Sequence, residues 1–332
     1  MKTVDYKIKK AGWLGKNIKS VDDLYLDKMA ANWAPLQISF IYDAESNEYK
    51  SIADISKYKE IALRSYKRNV LTCLVIYAVV FLILVILTSN FGFSQGLRLS
   101  IFFAILIFLC AYEMILFGSR PNEIINRSYY YNAIFSSNPI RLTIIAFMAL
   151  MTVAGLLQTI AIHLMGSSEV VERFGFIYSD FANGQFWRLI SGALLHGNFL
   201  HWFSNVVFGV VLIGFSKSHL KVPWIFLIAV GSCTSFIVSY IMNRSMSSGV
   251  IGMSGGLLFL AGVLVVSRGS THHLCVPMRL PRAIRFQLAA IAAITILVSP
   301  QLFDNAANTV HASALSLGAL IGLSLRFFYK NH

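Results

Sequence analysis

The chain has 332 residues, of which 56% are hydrophobic and only 13% are charged, and its mean hydropathy is +0.65. Because soluble globular proteins are about 25% charged, this composition excludes a soluble globular protein and indicates a membrane protein. The net charge of +13 is distributed along the chain as a membrane-topology signal, so we expect no nucleic-acid partner.

The chain begins with a polar segment over residues 1–69, which carries 13 basic and nine acidic residues. Scattered aromatic and aliphatic side chains among these charges predict a cytoplasmic N-terminal segment or a small domain. We expect no secretory signal, because the first long apolar run begins only at Val70.

Eight apolar runs follow that are candidates for crossing about 30 Å of hydrocarbon. The first two predict a transmembrane hairpin over residues 70–118, and residues 119–141 are predicted to be a cytoplasmic linker. Glu113 in the second run is expected to lie near the inner interface, where it either snorkels or pairs with a nearby arginine. The eight runs are 70–89, 99–118, 142–165, 200–215, 222–242, 253–266, 286–303 and 309–328.

The positions of the basic residues predict how these runs are oriented. If the N-terminus is cytoplasmic and every run crosses, 24 of the 28 Lys and Arg residues lie on the inner side. Thirteen of these belong to the long N-terminal segment and are weak evidence, but the short loops alone still place 11 basic residues inside and four outside, as the positive-inside rule predicts. Both termini are then cytoplasmic. In this orientation the runs that begin near residues 200, 253 and 309 all start at the outer face, so their N-terminal ends share one side of the membrane.

Residues whose side chains could take part in catalysis lie at these three ends. Ser254 lies in a Gly-Met-Ser-Gly-Gly sequence, and His311 opens the last apolar run. A serine and a titratable imidazole are the parts of a nucleophile–base pair. His201 and Asn205 are four residues apart, so they share a helix face and could donate hydrogen bonds to an oxyanion.

Each of these residues also has a structural interpretation. A Gly-x-Ser-Gly sequence in a membrane helix is usually a packing motif, and Asn205 could hold two helices together. His196 is more typical of a residue that orients a loop by hydrogen bonding. His272, His273 and Cys275 could suggest a metal site, but they lack further ligands and are interpreted as part of a solvated loop.

Together with their spacing, these residues make the segment 142–328 resemble a rhomboid intramembrane serine protease. The motifs that carry the resemblance are Trp187-Arg188, then His196, His201 and Asn205 in LLHGNFLHWFSN, then Gly252-x-Ser254-Gly255, and finally His311 with Ala314 and Gly318. Three positions depart from the family pattern. Leu258 replaces a common aromatic residue, which leaves open what orients the His311 ring; Lys217 replaces an acidic residue, and Ala314 replaces a glycine.

The resemblance implies an all-α polytopic membrane protein. Its six-helix rhomboid core over residues 142–328 would follow two extra transmembrane helices and the N-terminal segment. By the same resemblance Ser254 is the nucleophile and His311 the general base. His201, Asn205 and the backbone N–H of Ser254 would form the oxyanion hole. The supporting residues would be His196, Gly252, Gly255, Trp187 and Arg188.

The function implied by the resemblance is an intramembrane serine endopeptidase that cleaves transmembrane segments of single-span membrane proteins. It would use no metal or organic cofactor and would lie in a lipid bilayer, which we expect to be the bacterial inner membrane. An alternative is a catalytically inactive rhomboid-like binder that acts as a chaperone or degradation adaptor. A small transporter is a third possibility, but it would need polar residues along a path through the midplane.

Overall fold

A computed structural model of the chain describes residues 6–12, 15–21, 23–35, 39–43, 48–91, 96–243, 249–267, 279–302 and 305–330. The chain divides into two compact units, Met1–Ser136 and Ser137–His332.

The first unit begins with a small antiparallel sheet. Its strands are β1 (Tyr6–Gly12), β2 (Gly15–Val21), β3 (Ser39–Asp43) and β4 (Glu48–Lys50), in the spatial order β2-β1-β3-β4. A short helix, α1 (Asp23–Ala31), connects β2 to β3, and Leu26, Trp33 and Ile41 are buried in this part of the unit. The sheet adds a small β element to an otherwise helical protein, and the all-α prediction did not include it.

Two long helices follow in the first unit and pack against each other. They are α2 (Ser56–Phe91) and α3 (Gly96–Ser119). Helix α2 begins 14 residues before the apolar run at Val70, because the intervening sequence contains neither glycine nor proline to stop it.

The predicted linker is largely helical, since α4 spans Pro121–Ser136. The chain bends by 117° between α3 and α4, at a proline that lacks a backbone N–H and disfavours the helical conformation in the residue before it. A buried ion pair joins the two helices across the bend: Arg127 Nη1 and Nη2 donate to the Glu113 carboxylate at 2.6 and 2.5 Å. Of the two alternatives predicted for Glu113, the structure therefore shows the pairing with an arginine.

The second unit contains six long helices. They are α5 (Asn138–Met165), α9 (Phe199–His219), α10 (Trp224–Asn243), α11 (Ser254–Val266), α12 (Arg282–Leu302) and α13 (Asn305–Lys330). The segment between α5 and α9 contains α6 (Ser167–Phe174), β5 (Phe176–Ile177), α7 (Tyr178–Ala182) and α8 (Arg188–Leu194). Strand β5 pairs antiparallel with β6 (Gly249–Val250), just before α11.

Each of the eight apolar runs predicted to cross the membrane lies, over the described residues, wholly or mostly in a separate helix. By length and apolar composition alone, four of the described helices could cross a membrane, or five if the bent pair α3 and α4 counts as one. Helix α11 has only 13 residues, about 20 Å of helix, which suits a helix that starts beneath the membrane surface.

Helix α11 lies at the centre of the second unit, and residues 255–264 are all buried. It packs against α13 so closely that side chains are excluded from part of the contact. A Cβ atom on Gly318 would lie 2.9 Å from Phe259 Cα, and one on Gly262 would lie 2.8 Å from the backbone nitrogen of Ala319. Small residues at such contacts allow backbones to approach, and this contact brings the starts of α11 and α13 together.

Candidate active site

The first residue of α11 and a residue in the second turn of α13 are joined by a hydrogen bond. Ser254 Oγ lies 2.8 Å from His311 Nε2, a distance typical of a good hydrogen bond. His311 is 7% exposed and Ser254 is partly exposed. With the imidazole neutral, Ser254 donates to Nε2, which is the arrangement needed for a base to remove the hydroxyl proton.

The packing beside His311 holds the start of α13 in place. Val310 is buried in a cluster with Phe176, Tyr178 and Phe236. Gly255, directly after the serine, leaves no room for a side chain, because its Cβ atom would lie 2.6 Å from Ser235 Oγ and 2.9 Å from Val310 Cγ1. Helices α10, α11 and α13 thus fix the backbone positions from which Ser254 and His311 reach each other.

Gly252 forms the turn that leads into the serine. Its φ of +116° lies in the left-handed region that favours glycine, and its N–H donates to the carbonyl of Gly192 at 2.8 Å. A Cβ atom here would lie 2.7 Å from Cε1 and 3.0 Å from Nε2 of His201. The His201 ring therefore lies directly against the backbone two residues before Ser254.

Helix α9 supplies two of the predicted oxyanion donors. Asn198 caps this helix by accepting a hydrogen bond from the backbone N–H of His201 at 2.9 Å. Asn205, one turn later, is 5% exposed, and its Nδ2 has no hydrogen-bond partner among the described residues. Leaving a buried N–H unpaired is costly, so this amide is a donor suited to an acceptor that arrives with a substrate.

His196 precedes α9 and packs on His201. The two rings meet edge to face, with centroids 5.2 Å apart and an interplanar angle of 70°. Nδ1 of His196 lies 3.1 Å from the carbonyl oxygen of Leu194, which can only accept, so Nδ1 carries the proton. His196 is 4% exposed, and its ring forms part of the wall behind His201.

The backbone of His196 is held by Gln158, a residue that was not among the predicted site residues. Gln158 Nε2 donates to the His196 carbonyl at 2.6 Å, and Gln158 Oε1 accepts from the His196 N–H at 2.9 Å. The available signal was a lone side-chain amide within the apolar run 142–165, since polar groups inside a membrane span are expensive.

Arg188 organises the segment between α5 and α9. Its side chain is 7% exposed and pairs with Asp180 at 2.8 Å. Its Nη1 donates to the carbonyls of Glu172 and Gly175 at 2.7 and 2.8 Å. The neighbouring Trp187 is half exposed, and its ring lies 5.0 Å from the Arg188 guanidinium. Strand β5 follows Gly175, so Arg188 supports the strand that pairs with β6 ahead of Ser254.

The residues His272, His273 and Cys275, interpreted from the sequence as part of a solvated loop, lie outside the part of the chain that the structure describes. Among the described residues, no cluster of three or more His, Cys, Asp and Glu side chains could hold a metal ion.

The fold and this geometry define a polytopic α-helical membrane protein with a serine–histidine pair at the end of a buried helix. The N-terminal end of α11 adds free N–H groups and a favourable dipole for negative charge next to Ser254. Residues 183–328 match the family model of the Rhomboid domain. A search of the curated proteins found no match. The resemblance stated from the motifs is confirmed.

Proposed function

We propose that this protein is an intramembrane serine endopeptidase that cleaves transmembrane segments of single-span membrane proteins. The observation that carries the proposal is the 2.8 Å hydrogen bond between Ser254 Oγ and His311 Nε2, placed inside a rhomboid domain. A hydroxyl bonded to an imidazole is an activated nucleophile, and a role in packing alone would not require this pairing.

In the proposed reaction, His311 Nε2 takes the proton of Ser254 while Oγ attacks the scissile carbonyl carbon. The carbonyl oxygen becomes an oxyanion that accepts hydrogen bonds from Asn205, His201 and the backbone N–H of Ser254. His311 then gives the proton to the leaving amine, and the peptide bond breaks. His311 then takes a proton from water, whose oxygen attacks the acyl carbonyl; the bond to Ser254 Oγ breaks as His311 returns the proton to Oγ, and the second product leaves as a carboxylic acid. No step calls for a metal or an organic cofactor.

The proposed substrates follow from the place of the site in the membrane. The ends of α9, α11 and α13 that carry the site lie at the outer side in the orientation favoured by the basic residues. We therefore place the cleavage near the outer edge of a substrate helix, in an extended stretch with helix-destabilising residues. The proposed location is a bacterial inner membrane, with both termini cytoplasmic.

The test uses the full chain purified in detergent and a reporter with one transmembrane segment. The outer end of that segment carries alanine followed by a Gly-Pro pair, and the product is detected by gel and mass spectrometry. Ser254→Ala is expected to abolish cleavage, and Ser324→Ala is the control, because the Ser324 hydroxyl donates to the Leu320 carbonyl in its own helix.

The inactive rhomboid-like binder is tested in the same assay. Cleavage by wild type that survives in Ser254→Ala would refute the assignment of the nucleophile. A reporter that binds wild type and Ser254→Ala equally and is cut by neither would favour the catalytically inactive binder.

A further inference from the structure

Gln158 satisfies both backbone groups of a single buried residue on another segment. Its amide donates to the carbonyl of His196 and accepts from the N–H of the same residue. His196 lies between α8 and α9, where no helix provides partners for its peptide groups. Two hydrogen bonds in opposite directions fix both the position and the orientation of this piece of backbone, as a single bond would not.

The fixed backbone determines where the His196 ring lies. The ring is further held by its Nδ1 proton on the Leu194 carbonyl, and it packs edge to face on His201. His201 in turn lies against Gly252. A continuous series of contacts therefore runs from Gln158 to the turn before Ser254.

The space beside Gln158 shows that packing alone does not set this geometry. A cavity of about 340 Å³ lies between α5 and the start of α9, and its lining includes Gln158, His196 and Asn198. Protein packing around the His196 backbone is incomplete on this side, so the two hydrogen bonds from Gln158 add a restraint there, next to the bond from Trp202 Nε1 to the Met151 carbonyl that also joins α9 to α5.

We propose that Gln158 is a positioning residue of the oxyanion hole. It acts through His196 to hold the His201 imidazole within hydrogen-bonding reach of a developing oxyanion. The proposal rests on the proposed function, because it assigns a role within that same reaction. Gln158 itself touches neither Ser254 nor His311 in any described contact, so its effect is exerted through orientation.

The first test compares kinetics of the purified full chain on the single-span reporter. Gln158→Leu keeps the side-chain size and removes both hydrogen bonds, and we expect kcat to fall about 10- to 100-fold, since displacing a catalytic group by 1 Å can cost about 10²-fold. KM is expected to stay within about twofold, because the substrate contacts are unchanged. Thr159→Val is the matched control: Thr159 lines the same cavity but bonds to Gly155 in its own helix.

The second test uses a conservative variant whose new side chain changes its protonation state with pH. In Gln158→Glu, a protonated carboxyl group offers one donor and one acceptor, as the amide does, whereas a carboxylate can only accept. The ratio of Gln158→Glu to wild-type kcat is therefore expected to be highest at low pH and to fall as the pH rises through the pKa of the introduced carboxyl. A residue that only filled space would give a ratio independent of pH.

The third test asks whether the effect passes through His201. In a His201→Ala background, Gln158→Leu is expected to lower kcat by less than twofold, because the ring that it positions is gone. If Gln158→Leu lowers kcat as much in the His201→Ala background as in wild type, the proposal is overturned, and so it is if kcat of Gln158→Leu alone stays within twofold of wild type.

If Gln158→Leu is inactive while wild type cleaves, unchanged circular dichroism and melting temperature support positioning, and loss of the fold overturns it. Failure of wild type to cleave the reporter would instead remove the proposed function, and this proposal with it.

Discussion

Replacing Gly252 by alanine is expected to reduce cleavage far more than it reduces the stability of the fold. Gly252 has a φ of +116°, and holding an L-residue in such a conformation costs about 1–3 kcal/mol. That backbone cost appears mainly in the free energy of unfolding.

The loss of activity has a second cause, which can be worked from the distances. The added Cβ would lie 2.7 Å from Cε1 of His201, whereas carbon atoms in contact prefer about 3.5–4.0 Å. The imidazole must therefore move by about 1 Å, and a displacement of that size can cost about 10²-fold in rate. We expect kcat of Gly252→Ala to fall about 10- to 100-fold.

The chain offers a control that separates the two causes. Gly184 has a φ of +89°, and a Cβ placed on it would meet no atom within 4 Å. Gly184→Ala therefore has a similar backbone cost without displacing any side chain. Both variants are compared with wild type by thermal unfolding in detergent and by kcat on the single-span reporter.

We expect Gly252→Ala and Gly184→Ala to lose similar thermal stability, and we expect a large loss of kcat in Gly252→Ala alone. Wild-type kcat in Gly252→Ala would show that His201 does not need its present position. An equal loss of kcat in Gly184→Ala would show that backbone strain, and not the clash with His201, controls the rate.

Two further substitutions test the supports of the site. Gly318→Ala forces a Cβ against the Phe259 backbone and should destabilise the fold by about 1–3 kcal/mol and reduce cleavage. Gly118→Ala, with open space around it, should stabilise the fold by up to about 1 kcal/mol. Thermal unfolding in which Gly318→Ala is as stable as wild type, or Gly118→Ala is clearly less stable, would contradict this. Arg188→Lys should destabilise the fold by about 1–3 kcal/mol, because an ammonium cannot replace the guanidinium's simultaneous hydrogen bonds to Asp180 and to the carbonyls of Glu172 and Gly175. Arg173→Lys, in an exposed pair, should change stability by less than about 1 kcal/mol, and equal melting temperatures for the two variants would contradict this.

The helices could be predicted because hydrocarbon imposes long apolar runs on the chain. The ends of the helices could not be predicted, because apolar composition indicates which residues can lie in the membrane and not where a helix begins or ends. Helix α2 continues back through charged residues to Ser56, and α13 begins at Asn305 rather than at residue 309. His311 consequently lies in the second turn of its helix instead of at the start.

The N-terminal sheet was missed for a different reason. Its strands have three to seven residues and lie in a segment rich in lysine. Alternation over so few residues gives a weak period-two signal, and the pairing of β1 with both β2 and β3 depends on contacts that no local pattern specifies.

The candidate site was predictable as a set of residue types and not as a network. Ser254, His311, His201 and Asn205 are visible because serine, histidine and asparagine are unusual at the ends of apolar runs. Gln158 contacts His196 across 38 positions of sequence, and the spacing between them carries no local pattern. Such partners are decided by how α5 packs beside α9, which only the structure shows.

The central claim is that His311 activates Ser254, and labelling by a serine-directed fluorophosphonate tests it most directly. The full chain in detergent is incubated with the probe, and the modified residue is located by mass spectrometry. We expect labelling at Ser254 in wild type, none in Ser254→Ala, and a labelling rate lowered by at least about 100-fold in His311→Ala, the scale expected for loss of a general base. Labelling of Ser254 at an undiminished rate without the imidazole, or no labelling of the wild-type protein, would contradict it.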